Sequence, residues 1–533
     1  MNINKAYLPL FAALILAFGI YAGYKIQERN TARFSFLSSK TNQSKLEYIL
    51  SLIDSRYVDT VDTKKLYDET LNEMLAKLDP HSVYLPPVEM KHEEEIMDGN
   101  FDGIGIEFSL QKDTIYVNTP ISGGPSEKAG INAGDKIIFI DDSSAAGIKI
   151  TNEMVMKRLK GPKGTKVKVG VLKAGTRKIV NYTIVRDKIP IYSVDAGFML
   201  NKEVGYIKIN RFAKTTYQEF MQKLEALQKQ GMNKLVLDLR QNPGGFMDQA
   251  IQIADEFLEG NKTIVVTQGR TMPKTTDKAQ NMGLFETGKL VILVDEGSAS
   301  ASEIVSGAIQ DWDRGVIIGR RTFGKGLVQQ EYEIGDGSSV RLTVAKYYTP
   351  SGRSIQSPYT EGAEAYYMDA FKRASHEAFS ADSIQQNKKQ VYHTLIKNRT
   401  IYGGGGITPD IFIALDTSML NPFVQKVAET NALQEFVFNY YNNQKSALSV
   451  YKNEQNFNTG FKVDDLLYQQ FVTFAQSKGA NAAELKYAAV SRNYLSEKIK
   501  SYLARQLYNN EGYYYIAAQN DKMVQRAVQE LMK

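Results

Sequence analysis

One serine stands where a buried strand is predicted to give way to a helix. Residues 291–303 read V-I-L-V-D-E-G-S-A-S-A-S-E, and an apolar helical stripe begins at Ala301. Ser300 would therefore lie at a helix N-terminus, where free backbone N–H groups and the helix dipole favour a developing negative charge. That environment suits a nucleophile beside an oxyanion hole. Ser300 and Glu303 also match the capping-box pattern, so this segment alone favours a purely structural cap.

A lysine between two glycines supplies the second candidate group. Lys325 lies in T-F-G-K-G (322–326), where small neighbours let other parts of the fold close over its side chain. Burial lowers the pKa of a lysine, and a neutral amine can accept the proton of a serine hydroxyl. Gln329 follows four residues later, and even spacing on a strand would place its amide on the same face. For each residue the alternative is a solvated surface position.

A glycine pair supplies the third candidate. Residues 238–245 read D-L-R-Q-N-P-G-G and link a predicted buried strand to a helix. Glycine lets backbone N–H groups approach a ligand closely, so Gly244 or Gly245 could supply a second oxyanion donor. The alternative is an ordinary strand-to-helix turn.

Together these motifs resemble those of the carboxyl-terminal processing proteases, also called tail-specific proteases. L-D-P-H-S (78–82) and I-T-P-D (407–410) add to the match, which covers roughly residues 44–415 in the order typical of that family. The resemblance implies that the chain is a serine-type endopeptidase with a Ser-Lys dyad. It assigns Ser300 as nucleophile, Lys325 as general base and Gln329 as its orienting partner. It also implies an oxyanion hole with two backbone N–H donors. One belongs to Ala301, and the other belongs to either Gly244 or Gly245.

A PDZ-like module is the second feature that the resemblance implies. Residues 100–190 contain short β runs punctuated by glycine, with one short helix from about Asn152. The loop at Gly103, Ile104, Gly105 and Ile106 resembles the one that binds a terminal carboxylate through backbone N–H groups. The alternative is a plain β-turn. The implied substrates are proteins or peptides with free, apolar C-termini.

The pattern of strands and helices that would carry these residues predicts an α/β fold. From Val204 onward, apolar runs alternate with amphipathic helices, which indicates a mainly parallel sheet covered on both faces. The predicted strands are 205–209, 234–239, 263–267, 290–294 and 316–318. The resemblance implies a crotonase-like core of stacked ββα units with an inserted-type PDZ-like module, N-terminal helices and a C-terminal all-α domain.

The predicted domain boundaries follow shifts in composition and pattern. A membrane anchor or signal segment, 1–27, precedes an N-terminal helical region. The remaining predicted parts are the helical region 28–98, the PDZ-like domain 99–190, the protease core 191–357 and 401–417, an insertion 358–400, and the C-terminal helical domain 418–533. Because the insertion and the last domain depart from the family's minimal form, the sequence alone leaves open how they affect substrate access. Neither is expected to touch the catalytic positions.

Composition excludes several classes of protein. The 533 residues include no cysteine and four histidines, and none of the histidines has metal-ligand spacing. We therefore expect no metal and no cofactor. A net charge of +6 without a dense basic segment argues against nucleic acid as a partner.

Location is predicted from the first residues. Nineteen uncharged residues run from Ala6 to Tyr24, close to the ~20 needed to span a bilayer as a helix. An uncleaved anchor is favoured over a cleaved signal because no A-x-A site follows. The rest of the chain would then lie in the cell envelope, on the periplasmic side of the inner membrane.

The C-terminal helical domain is the candidate surface for a homo-oligomer or an adaptor.

Two other functions compete with a protease. A catalytically silent PDZ-type scaffold would keep the fold, but the presence of both Ser300 and Lys325 argues against it. A hydrolase of small esters could use the same pair, but it would have no use for a carboxylate-binding module.

Overall fold

A computed structural model describes residues 40–121, 123–376, 390–416 and 421–533. The predicted membrane segment lies outside these residues, and no helix within them is long and apolar enough to cross a membrane. The chain divides into two units, one ending at Met74 and one running from Leu75 to Lys533. The first unit contains helix α1 (Lys40–Arg56) and most of α2 (Thr63–Ala76), in agreement with the predicted N-terminal helices.

A small β module follows a short strand and helix. Its six-stranded sheet has the order β3-β4-β5-β7-β8, with β6 paired to β5, while β2 pairs with β9. Strands β3 to β8 enclose an apolar core in which Val167, Val169 and Val171 of β7 are fully buried. The elements are β1 (Val83–Leu85), α3 (Pro87–Asp98), β2 (Asn100–Gly103), β3 (Ile106–Gln111), β4 (Thr114–Pro120), α4 (Pro125–Ala129), β5 (Lys136–Ile140), β6 (Ser143–Ser144), α5 (Asn152–Leu159), β7 (Lys166–Leu172), β8 (Ile179–Val185) and β9 (Asp187–Pro190).

The main sheet of the core has six strands in the order β10-β11-β12-β15-β16-β21. All neighbouring pairs are parallel except β10 with β11. Its central strands are apolar on both sides because helices cover both faces, as the continuous apolar runs predict. The elements are β10 (Val194–Met199), β11 (Val204–Ile209), α6 (Thr216–Lys229), β12 (Lys234–Asp238), α7 (Met247–Asp255), β13 (Thr263–Gly269), β14 (Thr275–Lys278), β15 (Lys289–Val294), α8 (Ala301–Asp311) and β16 (Val316–Gly319).

Strand β13 corrects the sequence prediction. The run 263–267 was expected in the parallel sheet, but β13 pairs antiparallel with β14 and with β18 in a second sheet. That sheet has the order β1-β18-β13-β14, with β17 on β18. A short apolar run cannot show which sheet it joins, because pairing depends on partners far along the chain. Strands β17 (Leu327–Glu333) and β18 (Ser339–Tyr348) pair antiparallel with each other and are part of this five-stranded sheet.

The predicted insertion contains regular structure. Helix α9 (Ala363–His376) is followed by the hairpin of β19 (Val391–His393) and β20 (Thr400–Tyr402), and β21 (Ile411–Phe412) then joins the main sheet. The insertion was not expected to touch the predicted catalytic positions, and the contacts of α9 are with residues next to them. Helix α9 contacts the loop around His81, which lies beside Lys325, because two tyrosines of the helix face that loop.

The C-terminal region is helical, as predicted. A cluster centred on aromatic residues such as Phe457 and Phe471 forms its own core. The helices are α10 (Pro422–Glu429), α11 (Ala432–Leu448), α12 (Glu454–Gly460), α13 (Asp465–Ser477), α14 (Ala482–Leu485), α15 (Arg492–Asn520) and α16 (Lys522–Met532). Helix α16 packs Val524 and Leu531 against main-sheet residues that include Val236 and Leu293. The last helix thus covers the second face of the main sheet.

Candidate active site

Ser300 is held in a strained turn between a strand and a helix. Strand β15 is buried and ends at Val294, and Ser300 is the N-cap of α8 with φ 52° and ψ −112°. A positive φ is uncommon for a residue with a side chain, and such strain clusters at functional sites. Ala301, the first residue of α8, has no acceptor for its N–H group among the described residues. Ser300 is partly exposed, so its hydroxyl can meet a substrate.

Glu303 joins the serine segment to the lysine segment. Its fully buried carboxylate accepts hydrogen bonds from Ser300 N and Lys325 N at 2.9 Å each. It also accepts bonds from Gly324 N at 2.8 Å and from the hydroxyl of Thr322 at 2.5 Å. Burial raises the pKa of Glu303 to about 7, although these donors act in the opposite direction. The capping-box glutamate therefore also fixes the position of Lys325.

Lys325 is only partly accessible to solvent, and its amine has a defined partner. Lys325 Nζ donates to Gln329 Oε1 at 2.8 Å, so the structure brings these two predicted residues together. Burial, helped by the charge of Arg341, lowers the pKa of Lys325 to about 8. Close packing explains the preceding glycine, since a Cβ at Gly324 would lie 2.2 Å from Ser357 Oγ. The amine is therefore easily deprotonated near neutral pH.

The side-chain NH₂ group of Gln329 contacts His81, a residue to which the sequence analysis assigned no role. Gln329 Nε2 donates to the backbone carbonyl of His81 at 2.5 Å. The loop is fixed by Asp79, whose carboxylate accepts from the backbone N–H groups of His81 and Ser82 at 2.8 Å each. The only available signal was the L-D-P-H-S match, which indicates a family but not a contact.

Tyr347 links the two halves of the site a second time. Its hydroxyl lies 3.1 Å from the Ser300 carbonyl oxygen and 2.6 Å from that of Lys325. Among the described side chains, Lys325 Nζ makes no hydrogen bond with Ser300 Oγ. Catalytic hydrogen bonds of free enzymes are often long and form fully only with substrate. The backbones of both residues are nevertheless fixed relative to each other by Glu303 and Tyr347.

The glycine pair lies against Ser300, and hydrogen bonding distinguishes its two members. A Cβ on Gly244 would lie 2.8 Å from Ser300 Cβ and 3.0 Å from Ala301 N. The N–H group of Gly244 donates to Asn242 Oδ1 at 2.9 Å, whereas that of Gly245 has no acceptor among the described residues. Of the two alternatives, Gly245 has the N–H group that remains available for an oxyanion.

Upstream of the glycines, the D-L-R residues form an ion-pair network. Asp238 accepts from the hydroxyl of Tyr206 at 2.7 Å and from Arg240 Nη2 at 2.6 Å. Arg240 Nη1 also binds Asp521 at 2.7 Å, at the start of α16. The C-terminal region therefore stabilises the segment that leads into the glycine pair.

The residues expected to bind peptides lie at an exposed sheet edge. Gly103 ends β2, Ile104 is buried, Gly105 has φ 72°, and Ile106 begins β3. Strand β3 is terminal in its sheet, and α5 belongs to the same apolar cluster as Ile104. A free strand edge beside a helix is suited to strand addition by an extended peptide.

Comparisons with known proteins agree with this architecture. Residues 203–362 match Peptidase family S41, residues 103–184 match the PDZ domain, and residues 14–87 match the activating protease CtpB N-terminal domain. Residues 423–509 match a family of unknown function. The core and its β module thus define a serine peptidase with a PDZ domain.

Individual relatives identify the family more closely. The chain is 39% identical over 313 residues to a carboxy-terminal-processing protease of Bartonella bacilliformis, covering 58% of this chain and 71% of that protein. It is 31% identical over 411 residues to carboxy-terminal processing protease CtpB of Bacillus subtilis, covering 74% and 84%. The photosystem II D1 C-terminal processing protease structure is 26% identical, with a TM-score of 0.35 and coverage of 70% and 93%. The chain belongs to the carboxy-terminal processing protease family, which confirms the predicted family and enzyme class.

Proposed function

We propose that this serine peptidase uses Ser300 as nucleophile and Lys325 as general base to cleave proteins recognised by their C-terminal tails. One observation carries the proposal. The partly buried Lys325 amine, held by Gln329, shares two structural ties, Glu303 and Tyr347, with a strained serine at a helix N-terminus. An amine with a pKa near 8 can act as a base at neutral pH.

The reaction follows from this arrangement. The neutral Lys325 amine takes the proton of Ser300 as Oγ attacks the scissile carbonyl carbon. The resulting oxyanion accepts hydrogen bonds from the N–H groups of Ala301 and Gly245. The Lys325 ammonium then donates its proton to the leaving amine, and the acyl-enzyme forms. The lysine then takes a proton from the water that attacks the ester and returns it to Ser300 Oγ as the C–Oγ bond breaks, which releases the second product.

The dyad is tested with the full-length protein and an unfolded protein substrate bearing an apolar C-terminus. Ser300→Ala and Lys325→Ala should each abolish turnover while both variants still unfold in a cooperative thermal transition. Ser306→Ala is the matched control, because within the described part of the chain this buried hydroxyl of α8 bonds only locally, to the Ser302 carbonyl. The control should keep wild-type kcat. Substantial turnover by Lys325→Ala would refute the assignment, and an inactive wild type would favour the silent scaffold.

The PDZ domain is proposed to select substrates by their free carboxylate. The support is the Gly103–Ile106 loop beside the open edge of β3. Amidation removes the charge that backbone N–H groups would bind, so it should slow cleavage of a peptide whose scissile bonds are unchanged. Equal rates for amidated and free-acid peptides would contradict this role.

The protein is also proposed to act outside the cytoplasm, anchored by residues 6–24. The apolar composition of that segment supports the proposal. A reporter fused after residue 30 should be exposed on the periplasmic side and remain in membranes after a high-salt wash. Release into the soluble fraction would indicate a cleaved signal instead, and a cytoplasmic reporter would refute the location.

A further inference from the structure

The insertion helix α9 packs directly on the loop that supports the catalytic lysine. Tyr366 is 3% exposed, and its ring lies edge-on to His81 with the ring centroids 5.3 Å apart. The same ring lies 5.8 Å from Phe323, two residues before Lys325. Tyr367, the next residue of α9, donates from its hydroxyl to the Pro80 carbonyl at 2.7 Å. Burial of Tyr366 in this position makes it part of the site's wall.

Three hydrogen bonds connect Tyr366 to the amine of Lys325. The hydroxyl of Tyr366 lies 3.2 Å from His81 Nε2. The carbonyl oxygen of His81 accepts from Gln329 Nε2 at 2.5 Å, and Gln329 Oε1 accepts from Lys325 Nζ at 2.8 Å. Because an amide carbonyl and its NH₂ group are rigidly coupled, the His81 carbonyl decides which atom Gln329 presents to the lysine.

The charged groups around the Lys325 amine make its pKa sensitive to the position of the His81 loop. Asp79 and Glu303 stabilise the ammonium form of Lys325, whereas Arg341 and burial oppose it. His81 also faces the lysine, and burial followed by the Lys325 charge lowers the pKa of His81 to about 4. His81 is therefore neutral at working pH, and the hydrogen bond between Tyr366 and the neutral imidazole restrains the ring without adding charge.

We propose that Tyr366 of the insertion is a positioning residue for catalysis, acting through His81 and Gln329 to orient the amine of Lys325. The inference rests on the proposed role of Lys325 as the base. It gives the insertion a function in the reaction itself, since α9 closes the site beside the lysine and excludes water from it. Loss of the Tyr366 hydroxyl should loosen the His81 loop and admit water, which raises the pKa of Lys325 toward its ordinary value.

The test compares Tyr366→Phe with the wild type over pH 6 to 10. The variant keeps the ring and loses only the hydroxyl, so we expect folding to be retained. kcat should fall roughly 3- to 10-fold with KM little changed, and the acid limb of the kcat profile should move to higher pH. Tyr332→Phe is the matched control, because among the residues that the structure describes its hydroxyl bonds only to Gln330, on the exposed part of β17. The control should leave both kcat and the acid limb unchanged.

A double variant shows whether the effect runs through Gln329. If it does, Tyr366→Phe should have no further effect on kcat in a Gln329→Ala background, so the two losses do not multiply. Losses that multiply, or a Tyr366→Phe enzyme with the wild-type kcat and acid limb, would overturn the inference. None of these outcomes would contradict the proposed roles of Ser300 and Lys325 as long as Lys325→Ala is inactive. Turnover by Lys325→Ala would instead refute the proposed function.

Discussion

The serine half and the lysine half of the site are built in different ways. Around Ser300, the strained turn, the free N–H group of Ala301 and the carboxylate of Glu303 come from four consecutive residues. Around Lys325, the contacts come from β17, from the loop at His81 and from Glu303. The serine is positioned by local backbone geometry, whereas the lysine is positioned by segments more than 200 residues apart.

This difference determines how each half should respond to change. A helix N-terminus is an intrinsic property of the chain that forms it, so the free N–H group of Ala301 needs little distant support, although Gly245 comes from a separate segment. A depressed lysine pKa requires burial, which only the assembled fold provides. Substitutions that disturb the ties between the halves should therefore affect Lys325 more than Ser300.

Among the residues that link the two halves, Glu303 should show the largest effect when it is changed to Gln. An amide in this position can satisfy two of the four donors that the carboxylate serves and would turn its NH₂ group toward the other two. Leaving two buried donors unsatisfied costs about 2–6 kcal/mol. We expect kcat/KM to fall by ~100-fold or more, on the scale of tenfold per 1.36 kcal/mol.

Glu256→Gln is the matched control for this prediction. Glu256 is also buried and accepts from Tyr217 Oη at 2.6 Å and Leu284 N at 2.7 Å, away from the dyad. It should lower the melting temperature without lowering the kcat/KM of the folded enzyme. A Glu303→Gln enzyme with wild-type kcat/KM would show that the two halves do not depend on this link.

Stability should depend on pH in opposite directions for the two buried groups. The pKa of Glu303 rises from 4.5 to about 7 on folding, so its contribution is full below pH 4.5 and is lost as pH rises through 7. The pKa of Lys325 falls from 10.5 to about 8, so its contribution is present above pH 10.5 and is lost as pH falls through 8. Each shift corresponds to stability on the order of 3 kcal/mol.

Unfolding free energies measured against pH separate these contributions. The difference between wild type and Glu303→Gln should change between pH 4.5 and 7, and that between wild type and Lys325→Met between pH 8 and 10.5. Flat differences across either window would mean that the group is not buried in the folded state.

The smallest effect is expected from Tyr347→Phe. This change removes only the hydroxyl shared by the carbonyls of Ser300 and Lys325 and keeps the buried ring. A lost hydrogen bond of this kind costs about 1 kcal/mol, so kcat should fall roughly 5-fold. Tyr217→Phe, which loses a bond to Glu256, serves as the control for a partly buried tyrosine away from the dyad. An unchanged kcat in Tyr347→Phe would mean that Glu303, and not Tyr347, links the Ser300 and Lys325 segments in a way that affects the rate.

Much of the site could be predicted because its signals are local. A strand followed by G-S-A-S and an apolar helical stripe predicts a serine at a helix N-terminus, and the structure has it there. The spacing of four from Lys325 to Gln329 predicted a contact that the structure contains. The catalytic roles of these residues stay predictions until the variants are measured.

Other features could not be predicted because their signals are not local. Strand β13 joins an antiparallel sheet through β18, a partner about 80 residues away. No spacing rule connects His81 to Gln329 or Tyr366 to His81, since those contacts exist only when distant segments pack together.

The sequence by itself determined the family, the order of elements and the candidate serine and lysine, because motifs and periodicity depend on neighbouring residues. The tertiary structure alone decided which glycine N–H remains available and that the insertion supports the lysine. It also decided that the last helix covers the core sheet. Burial and hydrogen bonding are properties of packed segments, and a linear pattern does not contain them.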